Sequence, residues 1–262
     1  LTKSAKTIFI MYGAWVLIYL PLNLALAHAA GNLNATFMLD YVRILMFSGM
    51  WDGSPQLWYL LALGYAYLVL YWCVRHRIAM LWPFCIAAAL TLIGNVLPSA
   101  VRQSAIIATL YRWTFNDTRN VVFVGMFYVC CGAMIAIYKD RLASIPTPAL
   151  WAAFCLGLLG SITINPSGML PFSALAIVST VALAIRRTGN AHPTLRTTGA
   201  IIYLIHCYAV RFFMFLIART DYVIIDRNIT CFILVSLATL IAALAILPLA
   251  RRNKTLTTLF HA

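Results

Sequence analysis

The stretch Thr198–Arg219, TGAIIYLIHCYAVRFFMFLIAR, limits this chain more than any other part of it. It is apolar for long enough to cross a bilayer, yet it carries His206 and Arg211 within it. A span takes roughly 20 apolar residues in a helix, because lipid offers the backbone no hydrogen-bond partner. An ionisable group at that depth is costly and faces a cavity or a partner. At a rise of ~1.5 Å per residue, His206 lies about 12 Å and Arg211 about 20 Å along from Thr198. Five positions is ~140° of turn, so the two do not stack; Tyr203 with His206, and Cys207 with Arg211, do share faces.

The rest of the chain is of the same kind. Hydrophobic residues make up 63% of 262, charged residues 10%, and mean hydropathy is +0.91. Soluble domains sit nearer ~45–50% apolar and ~25% charged. The class is therefore all-α, a polytopic membrane helix bundle. A net charge of +13 invites a nucleic-acid partner. Such a partner needs the charge gathered on one solvent-facing surface, whereas here it lies in short tracts between apolar blocks, so nucleic acid is excluded. The seven cysteines form no CxxC or His-spaced pattern and read as small buried hydrophobes, with no metal site.

Taken in order, the apolar blocks predict about eight transmembrane helices. They are A (Thr7–His28), B (Gln56–Val74), C (Ile78–Leu97), D (Val121–Tyr138), E (Ala149–Ile164), F (Met169–Ile185), G (Thr198–Arg219) and H (Ile229–Ala250). A short interfacial helix over Thr36–Phe47 is expected between A and B, where Asp40 and Arg43 interrupt the apolar run. Pro98–Asn120 reads as a loop, and Gly125 and Gly132, seven apart, as a face for close packing in D. Blocks E and F are short for a span. With eight spans, Lys3, Lys6, Arg75, Arg77, Lys139, Arg141, Arg186, Arg187, Arg196, Arg251, Arg252 and Lys254 fall on the N-terminal side. These are twelve of the nineteen basic residues, against six opposite and Arg211 within a span. Basic bias in short loops orients membrane proteins, so both termini are expected on the cytoplasmic face of a plasma (inner) membrane. The outer loops pair their charges, as Asp40/Arg43, Asp117/Arg119, Arg219/Asp221 and Asp226/Arg227.

Several residues are candidates for chemistry. A histidine kept neutral near pH 7 passes protons or orients a hydroxyl, which His206 can do from within G; it is equally a packing histidine bonded to a neighbouring helix. Arg211 is either a site group or a side chain reaching the outer interface. Arg119, just before D, and Arg112, seven residues earlier, carry planar forks suited to carboxylate or phosphate, or anchor helix ends. Arg186 and Arg187 open the tract Arg186–Arg196, which suits lipid headgroups or the phosphates of a nucleotide-like donor, or simply orients the chain. No Gly-rich phosphate loop, HExxH or nucleophile elbow is present.

Three local patterns resemble the acyltransferase-3 family of integral membrane O-acyltransferases. They are QLWYLLAL at Gln56–Leu63, TRNVVFVGMFYVCCGAMIA at Thr118–Ala136 and IIYLIHCYAVR at Ile201–Arg211. The resemblance implies about ten spans and transfer of an acyl group, often acetyl from acetyl-CoA, to a hydroxyl of a cell-surface glycan or lipid-linked saccharide. By it, His206 and Arg119 would be catalytic, Trp58 would brace them, and Tyr203 and Arg211 would support His206. The family's first-span arginine and histidine and its second-span serine-glycine pattern have no counterpart here. The resemblance thus makes residues 1–262 a single transmembrane domain and the C-terminal eight of about ten spans, without the general base.

The expected function is a membrane O-acyltransferase with acetyl-CoA as the acyl-donor substrate, no bound cofactor, and membrane lipids and a glycan acceptor as partners. A multi-span transporter or flippase, or the membrane sensory domain of a larger protein, stands as the alternative.

Overall fold

The structure is a computed structural model of the chain and describes residues 1–114, 117–163, 172–186, 192–219, 229–253 and 259–260. Among these, every regular element is a helix. In order they are α1 (Thr2–Ala29), α2 (Ala35–Phe47), α3 (Trp58–Arg75), α4 (Leu81–Gln103), α5 (Ala105–Thr114), α6 (Met126–Ile137), α7 (Lys139–Ser144), α8 (Thr147–Thr163), α9 (Phe172–Ile185), α10 (Pro193–Arg219) and α11 (Ile229–Arg252). A 3₁₀ turn, Pro55–Leu57, leads into α3, and a π-helical turn, Val121–Gly125, leads into α6.

Among the described residues five helical segments are long and apolar enough to cross a membrane: Thr2–Ala29, Pro55–Arg75, Leu81–Gln103, Pro193–Leu216 and Cys231–Ala250. This corrects the expected eight. Blocks D, E and F become the shorter apolar helices Val121–Ile137, Thr147–Thr163 and Phe172–Ile185. The 14 residues of α9 reach only about 21 Å, short of a hydrocarbon core of about 30 Å. The apolar surface fits a lipid solvent: Leu17 is 69% exposed and Ile241 67%, inside long apolar helices. Two further expectations are settled here. The expected loop Pro98–Asn120 is mostly helical, since α4 runs through Pro98 to Gln103 and α5 follows at once. A helix does stand where the interfacial one is expected, α2, with Asn34 as its cap, its Oδ1 accepting from the Phe37 N–H at 2.8 Å.

The chain divides into two compact units. The central unit is Leu1–Thr2 with Ala62–Asn190. Its core joins Ala66 and Leu70 of α3, Ala87 of α4, Met126, Phe127 and Cys130 of α6, and Ala174 of α9. Asn120 starts the π-helical turn, its buried Oδ1 accepting from Val122 N and Phe123 N at 2.9 and 3.1 Å. Of the two glycines expected to form a packing face, only Gly125 does so: a Cβ there would stand 2.6 Å from that of Ala62, while Gly132 has nothing within 4 Å. Helices α8 and α9 approach so closely that a Cβ on Gly157 would lie 2.6 Å from Ala176 N.

The terminal unit is Lys3–Leu61 with Ala191–Ala262. It holds α1, α2, the 3₁₀ turn, α10 and α11. Tyr12 of α1 donates to Leu45 O of α2 at 2.6 Å, and Trp15 Nε1 donates to Leu259 O at 3.0 Å. Phe37, Tyr41 and Ala27 form a small core between α1 and α2.

Backbone atoms face Gly157 and cannot rotate away, so Gly157→Val is expected to destabilise the protein by about 1–3 kcal/mol. Gly132→Ala, in open space, is expected to change stability by less than about 0.5 kcal/mol. Thermal melts of both variants in one detergent check this pair.

Candidate functional site

The polar groups of the terminal unit converge on the middle of α10. Proline at its first position suits a helix start, where the missing N–H has no partner to lose. Further along, the Leu204 carbonyl accepts from the Tyr19 hydroxyl at 2.7 Å and from the Gln56 amide at 3.2 Å. The Tyr203 hydroxyl donates to the Gln56 carbonyl, and the Tyr208 hydroxyl to that of Ile18. Tyr19 and Tyr208 stack with ring centroids 4.4 Å apart. Three segments distant in sequence are thus knitted by side-chain donors on backbone acceptors, as water-free surroundings require. Gln56 itself is 6% exposed, and its Oε1 has no hydrogen-bond partner among the described residues.

His206 sits at the edge of this network. Its Nδ1 is 2.7 Å from the Tyr203 carbonyl. A carbonyl only accepts, so Nδ1 carries the proton and Nε2 keeps its lone pair. The Cys207 Sγ lies 3.4 Å from that Nε2, placed to donate its S–H. The ring lines a cavity of about 520 Å³ between α10 and α11, with Ile202, Val210, Phe232, Val235 and Ser236. The lining is apolar apart from His206, Ser236 and Thr239, and the Thr239 hydroxyl is already bonded to Val235 O at 2.6 Å. The arrangement offers an oriented imidazole beside an apolar slot.

The other expected site residues divide clearly. Trp58 and Tyr203 reach His206 through a chain of ring contacts: Trp58 to Tyr59 at 6.0 Å, Tyr59 to Tyr203 at 5.8 Å, Tyr203 to His206 at 6.1 Å. Arg211 belongs to the same unit but donates to the Asp52 carbonyl, fixing the chain ahead of the 3₁₀ turn. Arg119 lies in the central unit, and its fork is taken: Nε and Nη2 donate to Asp117 at 3.1 Å each. That hydrogen-bonded carboxylate holds the guanidinium pKa above its ordinary value, against partial burial. Arg186 clamps the end of α9, donating to Thr147 Oγ1 at 2.8 Å and Leu142 O at 3.2 Å. Arg187 and the side chain of Arg112 lie outside the described residues. Of the seven cysteines, Cys73, Cys130 and Cys207 are buried while Cys85 and Cys155 are exposed, so burial accounts for only part of the set. Among the described residues no group of three or more His, Cys, Asp or Glu could hold a metal ion.

Three participants are not among the expected site residues: Tyr19, Gln56 and Asn23. Asn23 is fully buried in α1, with Nδ2 donating to the Tyr41 hydroxyl at 3.2 Å and to Ser54 Oγ at 3.1 Å, and Oδ1 accepting from Gly53 N at 3.1 Å. Burial pushes the Tyr41 hydroxyl pKa up, with the Asn23 bond working in the opposite direction. The one signal for Asn23 is a lone asparagine inside an apolar span, since a polar group there needs partners.

No family model, no curated protein and no solved structure matches this chain. The resemblance to the acyltransferase-3 family is overturned. The five long apolar helices also differ from that family's span count.

Asn23→Leu removes one partner each from Tyr41, Ser54 and Gly53. Unsatisfied buried groups cost ~1–3 kcal/mol each. The variant is expected to lose about 3 kcal/mol or more of stability in a denaturant titration, whereas Asn253→Leu, at the exposed end of α11, is expected to lose less than about 0.5 kcal/mol.

Proposed function

We propose that this membrane protein is an O-acyltransferase, moving an acetyl or other acyl group from an acyl-CoA thioester to a hydroxyl of a cell-surface glycan or lipid-linked saccharide. The observation that carries the reading is His206: Nδ1 bonded to the Tyr203 carbonyl at 2.7 Å, Nε2 basic, and the ring on an apolar cavity of about 520 Å³. An apolar slot suits an acyl chain, and a base at its wall suits activation of a hydroxyl.

In this reading the acceptor hydroxyl replaces the Cys207 S–H at Nε2, and Nε2 takes its proton as its oxygen attacks the thioester carbonyl. The new C–O bond forms, the C–S bond breaks, and the departing thiolate takes the proton back from the imidazolium. Tyr203 is a positioning residue, since its carbonyl fixes the tautomer and its hydroxyl holds the Gln56 backbone. Trp58 packs behind through Tyr59. The acyl-CoA donor, like the acceptor, is a substrate; no bound cofactor is invoked.

Labelled acetyl-CoA and membranes containing the protein test the reading. His206→Ala is expected to lower acyl transfer at least ~100-fold, the usual contribution of a general base. Tyr203→Phe keeps the backbone carbonyl and is expected to lose less than about tenfold. Equal transfer by wild type and His206→Ala would remove the histidine from the chemistry. Transfer by neither, with labelled lipid crossing the bilayer in a protein-dependent way, would favour the transporter reading.

In the same reading the chain sits in a plasma (inner) membrane with both termini cytoplasmic, supported by the twelve-to-six distribution of basic residues. Five long spans are an odd number, so this orientation and that distribution require that Val121–Ile137 alone, or all three of Val121–Ile137, Thr147–Thr163 and Phe172–Ile185, also cross. Reporter fusions at each terminus are expected to give the cytoplasmic signal at both; opposite signals would contradict it.

A further inference from the structure

A second cavity lies in the terminal unit where the end of α1 meets the start of α2, about 370 Å³ in volume. Asp40, Asp52, Phe37, Trp51, Asn32 and Asn34 are among the residues that border it. It is separate from the histidine slot and shares no residue with it.

Its charge is out of keeping with the chain. The protein has nineteen Lys and Arg but six acidic residues, and two of those six border this one cavity. Asp40 is partly compensated, since Oδ1 accepts from Arg43 Nη2 at 2.9 Å. The Asp52 carboxylate has no hydrogen bond or ion pair with any described residue. The nearby Arg211 guanidinium donates to the Asp52 backbone carbonyl instead. Asp52 is exposed, and its carboxylate forms no ion pair among the described residues, so it is open to a cation from outside.

Aromatic rings supply the rest. Trp51 meets Phe37 edge-on at 5.2 Å and Tyr41 at 5.0 Å, so the indole is held on two sides. Ring faces attract an ammonium within about 6 Å, and tryptophan attracts it best. The chain after Asp52 is tied down: Asn23 bonds Gly53 and Ser54, and a Cβ on Gly53 would stand 2.3 Å from Asn23 Oδ1, so a larger residue there would have to displace that side chain. Asp52 is thus held by Arg211 through its own carbonyl and by Asn23 through its neighbour.

We propose that this cavity binds a small organic ammonium ion, with Asp52 as its counter-charge and Trp51 and Phe37 as its aromatic wall. Two sources share that chemistry. The cavity opens where a long apolar helix ends, so the ammonium can belong to a lipid headgroup or to a free amine. The cavity size suits either.

The test uses the full chain in vesicles of phosphatidylglycerol, which carry no amine, with labelled choline as the probe. Saturable binding is expected, weakened at least about tenfold by Asp52→Asn and by Trp51→Leu. Asp52→Asn keeps the carbonyl that Arg211 uses and removes no side-chain bond, so an unchanged thermal melt is expected beside the lost binding. Trp51→Phe retains an aromatic wall and is expected to weaken binding less than Trp51→Leu does. Adding phosphatidylcholine to the vesicles separates the sources: displacement of the probe assigns the site to a headgroup, and undiminished binding assigns it to a free amine. Absence of saturable choline binding, equal binding by wild type and Asp52→Asn, or displacement by glucose as effective as by unlabelled choline would each overturn the proposal.

Discussion

The carbonyl oxygen of Leu204 takes the Tyr19 hydroxyl at 2.7 Å and the Gln56 amide at 3.2 Å, and much of the terminal unit hangs on that doubly used acceptor. In lipid a backbone carbonyl facing outward from a helix finds no water, and a tyrosine or glutamine buried alone is expensive. Each problem solves the other here. The donors come from α1 and from the turn before α3, so two bonds tie three parts of the sequence to one point on α10. Tyr203 and Tyr208, on either side of Leu204, return the favour by donating to Gln56 O and Ile18 O.

That anchoring gives His206 its character. One residue of α10 turns away from the network toward the apolar cavity, and the carbonyl of Tyr203 settles which of its nitrogens holds the proton. The same knot continues outward through Arg211 to Asp52 and through Asn23 to Gly53 and Ser54. The segment between α2 and α3 is consequently fixed by side chains from α1 and α10, and it carries Trp51 and Asp52, which border the second cavity.

A good part of this arrangement is legible in the order of the amino acids. Blocks A, B, C, G and H are long, predominantly apolar runs, and length against bilayer thickness is a strong constraint; all five appear as long apolar helices. Blocks D, E and F are apolar enough but too short, and composition does not reveal how a short helix sits. The pairs Asp40/Arg43 and Asp117/Arg119 are readable from spacing and form salt bridges at 2.9 and 3.1 Å. The shared face of Tyr203 and His206 is readable from helical period. What period cannot show is that the contact runs through the Tyr203 backbone, or that Gln56 and Tyr19, far away in sequence, meet at Leu204. Family likeness misleads for a related reason: membrane helices draw on few residue types, so short apolar matches recur without common descent.

The proposed chemistry turns on the protonation of one ring. Nitrogen-15 spectra of the protein labelled at histidine, in a lipid bilayer, with His206→Gln used to assign the signal, report which nitrogen of His206 bears the proton. The geometry predicts the tautomer protonated at Nδ1, with a lone pair on Nε2. The tautomer protonated at Nε2 would contradict it, since Nδ1 would then have no proton to give the Tyr203 carbonyl and the ring no basic nitrogen where the proposed chemistry needs one.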